Sequence, residues 1–322
     1  MSDESQTSSL YKLPTYIQLT SVLICAIIII VGFAGNIMVL IVVIRGKDMS
    51  NSTNIFLVNL SIADLCVLLV CTPAILVEVN TGPQIWVLGE NMCRAMPFVE
   101  ATVAHTSVLT ILAISFERYY AICKPLRANY VCTKSRAALI CLLTWIAAGL
   151  LTSPFLFMVN FEFDHDDDSA SDREAIPICT TEARDTWSVV YISMTIVVFF
   201  FLPVIVLIVL YSAITHQLIH RSRIKYDSTA GANLYYQQNR YQVIRMLCAV
   251  ILAFFLCLLP FRLMMLWIVF SPLQKILDFG VERYFCLLYF CRIMFYLNSA
   301  LNPILYTIMS SKFKKGIMHL FV

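Results

Sequence analysis

Long unbroken apolar runs, rather than an alternation of apolar and polar positions, dominate this 322-residue chain. Ile27-Ile28-Ile29-Ile30-Val31 and Phe199-Phe200-Phe201-Leu202 are examples. A membrane-spanning strand would need a roughly 10-residue segment of alternating polarity, which these runs are not. A helix crosses the ~30 Å hydrocarbon core with about 20 residues. Seven stretches meet that length, near 18–44, 54–79, 94–122, 137–159, 187–215, 243–271 and 284–308. The pattern predicts an all-α membrane protein, a seven-transmembrane helix bundle. After it, Ser310 to Leu320 sets Phe313, Ile317, Met318 and Leu320 against Lys312, Lys314 and Lys315. That is a short amphipathic helix lying on the membrane surface. The division is 1–17 outside, 18–308 as the membrane domain and 309–322 as the cytosolic helix.

Composition sharpens the picture. Hydrophobic residues make up 60% of the chain and charged ones 13%, about half the usual charged share. Residues 1–17 show no basic start with a short apolar core and cleavage site, so the first span is expected to target the chain itself. Taking connections alternately, one side carries fifteen Lys/Arg, among them Arg118, Lys124, Arg127, Lys134 and Arg136, and the other six. The positive-inside rule places the amino terminus outside and the carboxyl terminus in the cytosol. The outer side holds fifteen acids against those six bases, including the run Glu162, Asp164, Asp166, Asp167, Asp168, Asp172 and Glu174. That run reads either as a solvated segment or as a vestibule attracting a cation.

Most of the twelve cysteines lie within apolar spans, where a thiol packs as a small hydrophobe. Cys93 and Cys179 face the oxidising side and are expected to form a disulfide. The patterns Asn51-Ser52-Thr53 and Asn59-Leu60-Ser61 fall in a cytosolic loop and inside a span, so neither is read as a glycosylation site.

Polar residues inside a membrane are costly and mark candidate sites. Asp64 sits mid-span in the second helix, with Asn36, Ser107, Asn298, Ser299 and Asn302 at matching depths. A carboxylate among hydroxyls and amides suits a sodium ion, held by Asp64, Ser107, Asn298 and Ser299. It equally suits a structural network around a protonated Asp64.

Gly35-Asn36, Leu60-Ser61-Ile62-Ala63-Asp64, Glu117-Arg118-Tyr119, Trp145, Pro203 with Tyr211, Phe254, Cys257-Leu258-Leu259-Pro260 and Asn302-Pro303-Ile304-Leu305-Tyr306 with Phe313 fall in all seven spans in order. In these the chain resembles the rhodopsin-like G-protein-coupled receptors. Ala121-Ile122-Cys123-Lys124-Pro125, Cys132-Thr133-Lys134-Ser135-Arg136-Ala137, Phe290-Cys291-Arg292 and Tyr296-Leu297-Asn298-Ser299-Ala300 resemble the thyrotropin-releasing hormone receptor branch, with ghrelin, motilin and neuromedin receptors next. The resemblance implies an extracellular peptide ligand, a heterotrimeric G protein of the calcium-mobilising type, arrestin, and a place in the plasma membrane. It implies no resident cofactor beyond an allosteric sodium ion.

Arg262, Arg292 and Glu100 fall in the outer half of the bundle. Glu100 is expected to pair with one of the arginines, either as a structural ion pair or as a pair that the ligand opens. The resemblance places the two arginines in the hormone site, where a planar fork suits carbonyls or a carboxylate. Phe261, Tyr289 and Trp267 are expected aromatic lining, and His105 reads as a packed core residue. The alternative is an aminergic or other small-cation receptor built on Glu100. A retinal-binding opsin is excluded, since 284–308 contains no lysine. No nucleotide-binding loop or catalytic triad appears, so neither an enzyme nor a nucleic-acid binder is expected.

Pro203, Pro260 and Pro303 are candidate hinges. The resemblance makes Glu117, Arg118, Tyr119, Tyr211, Phe254, Pro260, Asn302, Pro303 and Tyr306 the switch that couples to the G protein. Two positions depart from the family pattern. Leu258 stands where a tryptophan is usual, and Arg240 where an acid often locks Arg118.

Overall fold

The computed structural model describes residues 13–46, 51–82, 85–164, 176–181, 185–225, 232–309 and 311–318, though not the side chains of 129, 221–243, 273, 277, 309, 311, 312 and 315. The 1–12 segment, most of the acidic run, Lys312, Lys315 and the Arg240 side chain therefore lie outside the described residues.

Seven helices are long and apolar enough to cross a membrane: Thr15–Arg45, Ser52–Thr81, Gly89–Cys123, Lys134–Phe157, Thr186–His220, Ile244–Phe270 and Val281–Ile308. The third is the most buried and forms the centre against which the second, fourth and fifth pack. With 35 residues it is about 52 Å long, so it protrudes from the hydrocarbon. Capping sets several boundaries. The Asn51 side chain accepts the Asn54 amide at 2.9 Å, Thr133 accepts from Arg136 N at 3.4 Å, and Gly82 at φ 122° ends the second span. A cap of this kind contributes about 1 kcal/mol. Both asparagines of the sequons are structural: Asn59 donates to Thr110 at 2.8 Å and accepts from Trp145 Nε1 at 2.9 Å, tying three spans together.

Proline acts differently in the second and fifth spans than hinge reasoning anticipates. Val67–Cys71, before Pro73, and Val197–Phe201, before Pro203, are π-turns. A proline lacks the amide and its ring crowds the preceding carbonyls, and one extra residue in the turn relieves both. The Val67 carbonyl accepts the Thr72 backbone N–H across the widened turn and also the Thr72 Oγ1 hydroxyl at 3.3 Å. Each extra residue turns the downstream side chains by about 100° about the helix axis.

The molecule is not purely helical. Strands β1 (Val159–Asp164) and β2 (Ile176–Thr181) pair antiparallel, with Phe161 opposite Cys179. Trp86 N donates to Pro177 O at 2.9 Å, and Ile85 bridges Ile178, so the connection after the second span adds to the hairpin edge. Cys93 and Cys179 are disulfide-bonded, Cα atoms 5.9 Å apart, which fastens β2 to the start of the third span. The hairpin lies between spans, where an apolar-run criterion does not register six-residue strands, and it leaves the all-α seven-span bundle unchanged. The last described helix, Ser311–Met318, seats buried Phe313 on Tyr306, ring centroids 5.9 Å apart.

Close approach of the first and seventh spans depends on Gly32 and Gly35. A Cβ at Gly35 would meet Pro303 Cβ at 2.8 Å, and one at Gly32 would meet Leu68 Cδ1 at 2.7 Å. Gly149 faces open space. Overpacking costs about 1–3 kcal/mol, so Gly35→Val should lower the apparent Tm of the purified protein by roughly 3–10 °C. Gly149→Ala should leave it unchanged or slightly raised. A thermal-unfolding series on the two variants checks this.

Candidate functional site

At the disulfide end of the bundle, helix geometry brings together charges that the primary structure scatters over more than 200 positions. Arg292 Nη1, on the seventh span, sits 2.6 Å from Glu78 Oε2 on the second. Glu100 was expected to pair with Arg262 or Arg292, and it pairs with neither. Instead Glu100, on the third span, accepts the Tyr296 hydroxyl at 2.5 Å and feels Arg292 only through its field. The reason lies in the second span. Beyond the π-turn, Glu78 is rotated inward to the seventh helix rather than to the outer loop where its position near the span end suggests it belongs. Pro73, five residues earlier, was the available signal. Glu78 thus binds the guanidinium directly, while fully buried Tyr296 holds Glu100.

Arg262 lies on the sixth span and is 9% exposed. It is not brought to Glu78 or Glu100: among the described residues it makes no hydrogen bond or ion pair. Phe261 packs on Phe295 at 5.9 Å, and Tyr289, buried to 2%, stands 6.5 Å from Phe285. Trp267 meets Phe279 and Tyr284 at 5.3 and 6.4 Å.

Halfway along the bundle Asp64 accepts Asn302 Nδ2 at 2.9 Å, and Ser299 is buried nearby. Asn36 Nδ2 donates to the carbonyls of Gly32 and Ser299, both at 2.9 Å. Asn36 Oδ1, Asn298 Oδ1 and Ser61 Oγ are buried and have no partner among the described residues. Ser107 is buried at 4%, yet no described hydrogen bond joins it to Asp64. One carboxylate with several neutral oxygens and no second acid fits a monovalent hard cation better than a transition metal. Among the described residues no group of three or more His, Cys, Asp or Glu is arranged for a metal.

At the opposite end Arg118 Nη2 is 3.7 Å from Glu117 Oε2. Glu117 also accepts from Ser52 Oγ and, at 3.0 Å, from Thr53 Oγ1, so the acid is held by the second span as well. Tyr211 and Tyr306 line one narrow apolar gap with Ser115, Leu247 and Val250, and Ser115 Oγ donates to the Tyr211 hydroxyl at 3.4 Å. Tyr306 OH and Arg118 Nε are buried without partners among the described residues. Tyr119 stacks edge-on against Tyr120 at 5.8 Å and lies under Lys124. Phe254, 1% exposed, packs on Phe255 at 5.3 Å, with Leu258 buried one turn on. Pro303 carries the first-span contact at Gly35, and Pro260 lies inside the sixth helix without breaking it.

Comparison with known proteins agrees with this layout. The family model "7 transmembrane receptor (rhodopsin family)" matches residues 35–306. The growth hormone secretagogue receptor type 1 of Sus scrofa is 37% identical over 306 residues, covering 92% of this chain and 79% of that receptor. The thyrotropin-releasing hormone receptor of Bos taurus is 32% identical over 326 residues, 94% of this chain and 78% of its own. A QRFP-like peptide receptor of Branchiostoma floridae is 29% identical over 294 residues, 91% and 74% respectively. With the family model spanning all seven helices and the buried polar groups lying where that family's motifs fall, the chain belongs to the rhodopsin family of seven-transmembrane receptors.

Proposed function

We propose that this receptor is activated by a short extracellular peptide and passes the signal to a heterotrimeric G protein. The carrying observation is the cluster of Glu78, Arg292, Glu100 and Tyr296, buried at the disulfide end beneath a hairpin tied to the third span. Peptides offer carbonyls, amides and charged ends in the number this cluster can bind. The similarity to receptors named for a QRFP-like peptide and for thyrotropin-releasing hormone supports the same reading over an amine receptor built on Glu100.

The charge asymmetry of the connections supports an outside amino terminus and a cytosolic carboxyl terminus. The disulfide end is then the ligand entrance, and the face bearing Arg118, Tyr211 and Tyr306 meets the G protein and arrestin. The thyrotropin-releasing hormone resemblance favours a calcium-mobilising G protein. A ligand drives the switch only by binding the open arrangement more tightly than the closed one. Screening a peptide library in cells that report calcium and cyclic AMP together tests the whole reading. A lack of response to any peptide alongside a response to monoamines would overturn it.

Arg292→Lys keeps the charge opposite Glu78 and loses the planar fork. Hydrogen bonds to charged groups are worth about 1.5–3 kcal/mol, so potency of a peptide found in the screen should fall about 10- to 100-fold. Surface expression should stay near parental. Glu78→Gln strands a buried arginine and should lower expression as well. Dose–response curves beside surface labelling separate the two effects. Asp64, Ser299 and Asn298, with Ser107 nearby in depth, are the residues proposed to hold sodium in the resting receptor. Raising sodium should then weaken agonist binding in the parent and leave Asp64→Asn unaffected, as radioligand competition would report.

A further inference from the structure

Past Phe255, toward the Arg118 end, the fifth and sixth spans leave a groove that faces outward from the bundle. Val204, Ile208 and Tyr211 form one wall and Cys248, Leu252 and Phe255 the other, around a space of about 280 Å³. Phe200 packs edge-on against Phe255, ring centroids 5.4 Å apart, and closes one end. The buried cluster of Ile214, Leu218 and Ile244, against which Tyr211 and Cys248 pack, closes the other. Between them Ile208 and Leu252 are 62% and 63% exposed, so the mouth opens sideways into hydrocarbon. From Val204 to Tyr211 the wall rises about 10 Å.

The lining is apolar. The hydroxyl of Tyr211 is engaged on the inner side, where it accepts Ser115 Oγ at 3.4 Å. A cavity of about 150 Å³ with such a lining stays dry and admits a benzene ring, so a larger one that opens into a bilayer takes hydrocarbon. A sterol would bring a hydroxyl that needs a polar partner, whereas a plain acyl chain needs none. Apolar filling by itself selects nothing, because lipid tails are as apolar as the leucines they would touch. Selection requires a charge. Arg245 is exposed in the first turn of the membrane-crossing stretch Ile244–Phe270. It precedes Cys248 by three residues and Leu252 by seven, so helical periodicity sets it on the groove's side of the sixth span, about 5 Å beyond the groove's end. Among the described residues no acid pairs with it.

We propose that this groove binds one acyl chain of an anionic phospholipid whose headgroup meets Arg245. A guanidinium takes phosphate or carboxylate oxygens two at a time, and its apolar stem covers the chain where it leaves the groove. The bound chain also touches Tyr211 and Ile251, which line the inner gap together with Tyr306. An occupant that bridges both spans therefore favours this packing of Tyr211 and Ile251 over any arrangement that parts the two helices. The proposal is independent of the peptide-receptor reading.

The test uses the purified full chain in phosphatidylcholine nanodiscs carrying a trace of one photoactivatable lipid, its diazirine midway along the hydrocarbon: phosphatidylserine, phosphatidylcholine, a free fatty acid or a sterol. After illumination and digestion, mass spectrometry locates the adducts. Phosphatidylserine should label the peptides carrying Val204–Tyr211 and Cys248–Phe255 about fivefold more than phosphatidylcholine does, the preference that one interfacial arginine gives. Arg245→Gln should remove that excess and leave phosphatidylcholine labelling as it was. Ile208→Trp combined with Leu252→Trp, two lipid-facing changes that narrow the mouth, should lower labelling by both phospholipids to the level of the outward face of the first span, with the apparent Tm near parental. Equal labelling by the two phospholipids, a phosphatidylserine excess retained in Arg245→Gln, labelling unchanged by the two tryptophans, or stronger labelling by the fatty acid or the sterol would overturn the proposal.

Discussion

Everything in this molecule follows from the absence of water in the hydrocarbon core, where each backbone N–H and C=O must find its partner within the chain. Helices meet that demand, and wherever a proline interrupts one the chain meets it by local rearrangement. At Pro73 and Pro203 the answer is a π-turn, and Thr72 supplies a side-chain donor to the Val67 carbonyl. These turns set where the functional side chains point. Glu78 reaches the seventh span, and Phe199 lies against His105, because of a residue's worth of rotation in each helix.

The same absence of water dictates how the polar side chains group. An ionised or amide group left alone in the bundle is costly, and apart from Arg262 the functional polar groups gather in layers at three depths: Glu78, Glu100, Arg292 and Tyr296 at the disulfide end, Asp64 with Asn302, Ser299 and Asn36 midway, and Glu117 with Arg118, Ser52 and Thr53 at the far end. The first layer joins the second, third and seventh spans; the second joins the first, second and seventh; the third joins the second and third. Between the last two, apolar Leu57, Leu60, Ile114, Leu247 and Val250 seal the gap that Tyr211 and Tyr306 line.

Small residues and the disulfide hold this layered bundle in register. Gly32 and Gly35 let the first span approach the seventh so closely that Asn36 reaches the Ser299 carbonyl. The Cys93–Cys179 bond and the Trp86 amide hold the β1–β2 hairpin against the start of the third span. Most of the apolar surface of the fourth and first spans faces outward, where Leu142, Leu150, Ile27 and Ile30 meet lipid.

The seven spans, the family and the depth of Asp64, Glu100, Arg262 and Arg292 were legible in the order of residues, because crossing a bilayer imposes a length and an apolar composition that linear reading measures directly. The motif-bearing residues around Asp64 and Arg118 were legible for the same reason: their helical depth follows from counting. Which groups touch was not. The pairing of Arg292 with Glu78, the lack of a partner for Arg262 and for His105 among the described residues, and the hairpin fastened to the third span all depend on helix rotation and on segments far apart in the chain. Counting yields depth along a helix, but the angle about its axis is set by π-turns and by packing against neighbours, and only the assembled bundle determines that angle.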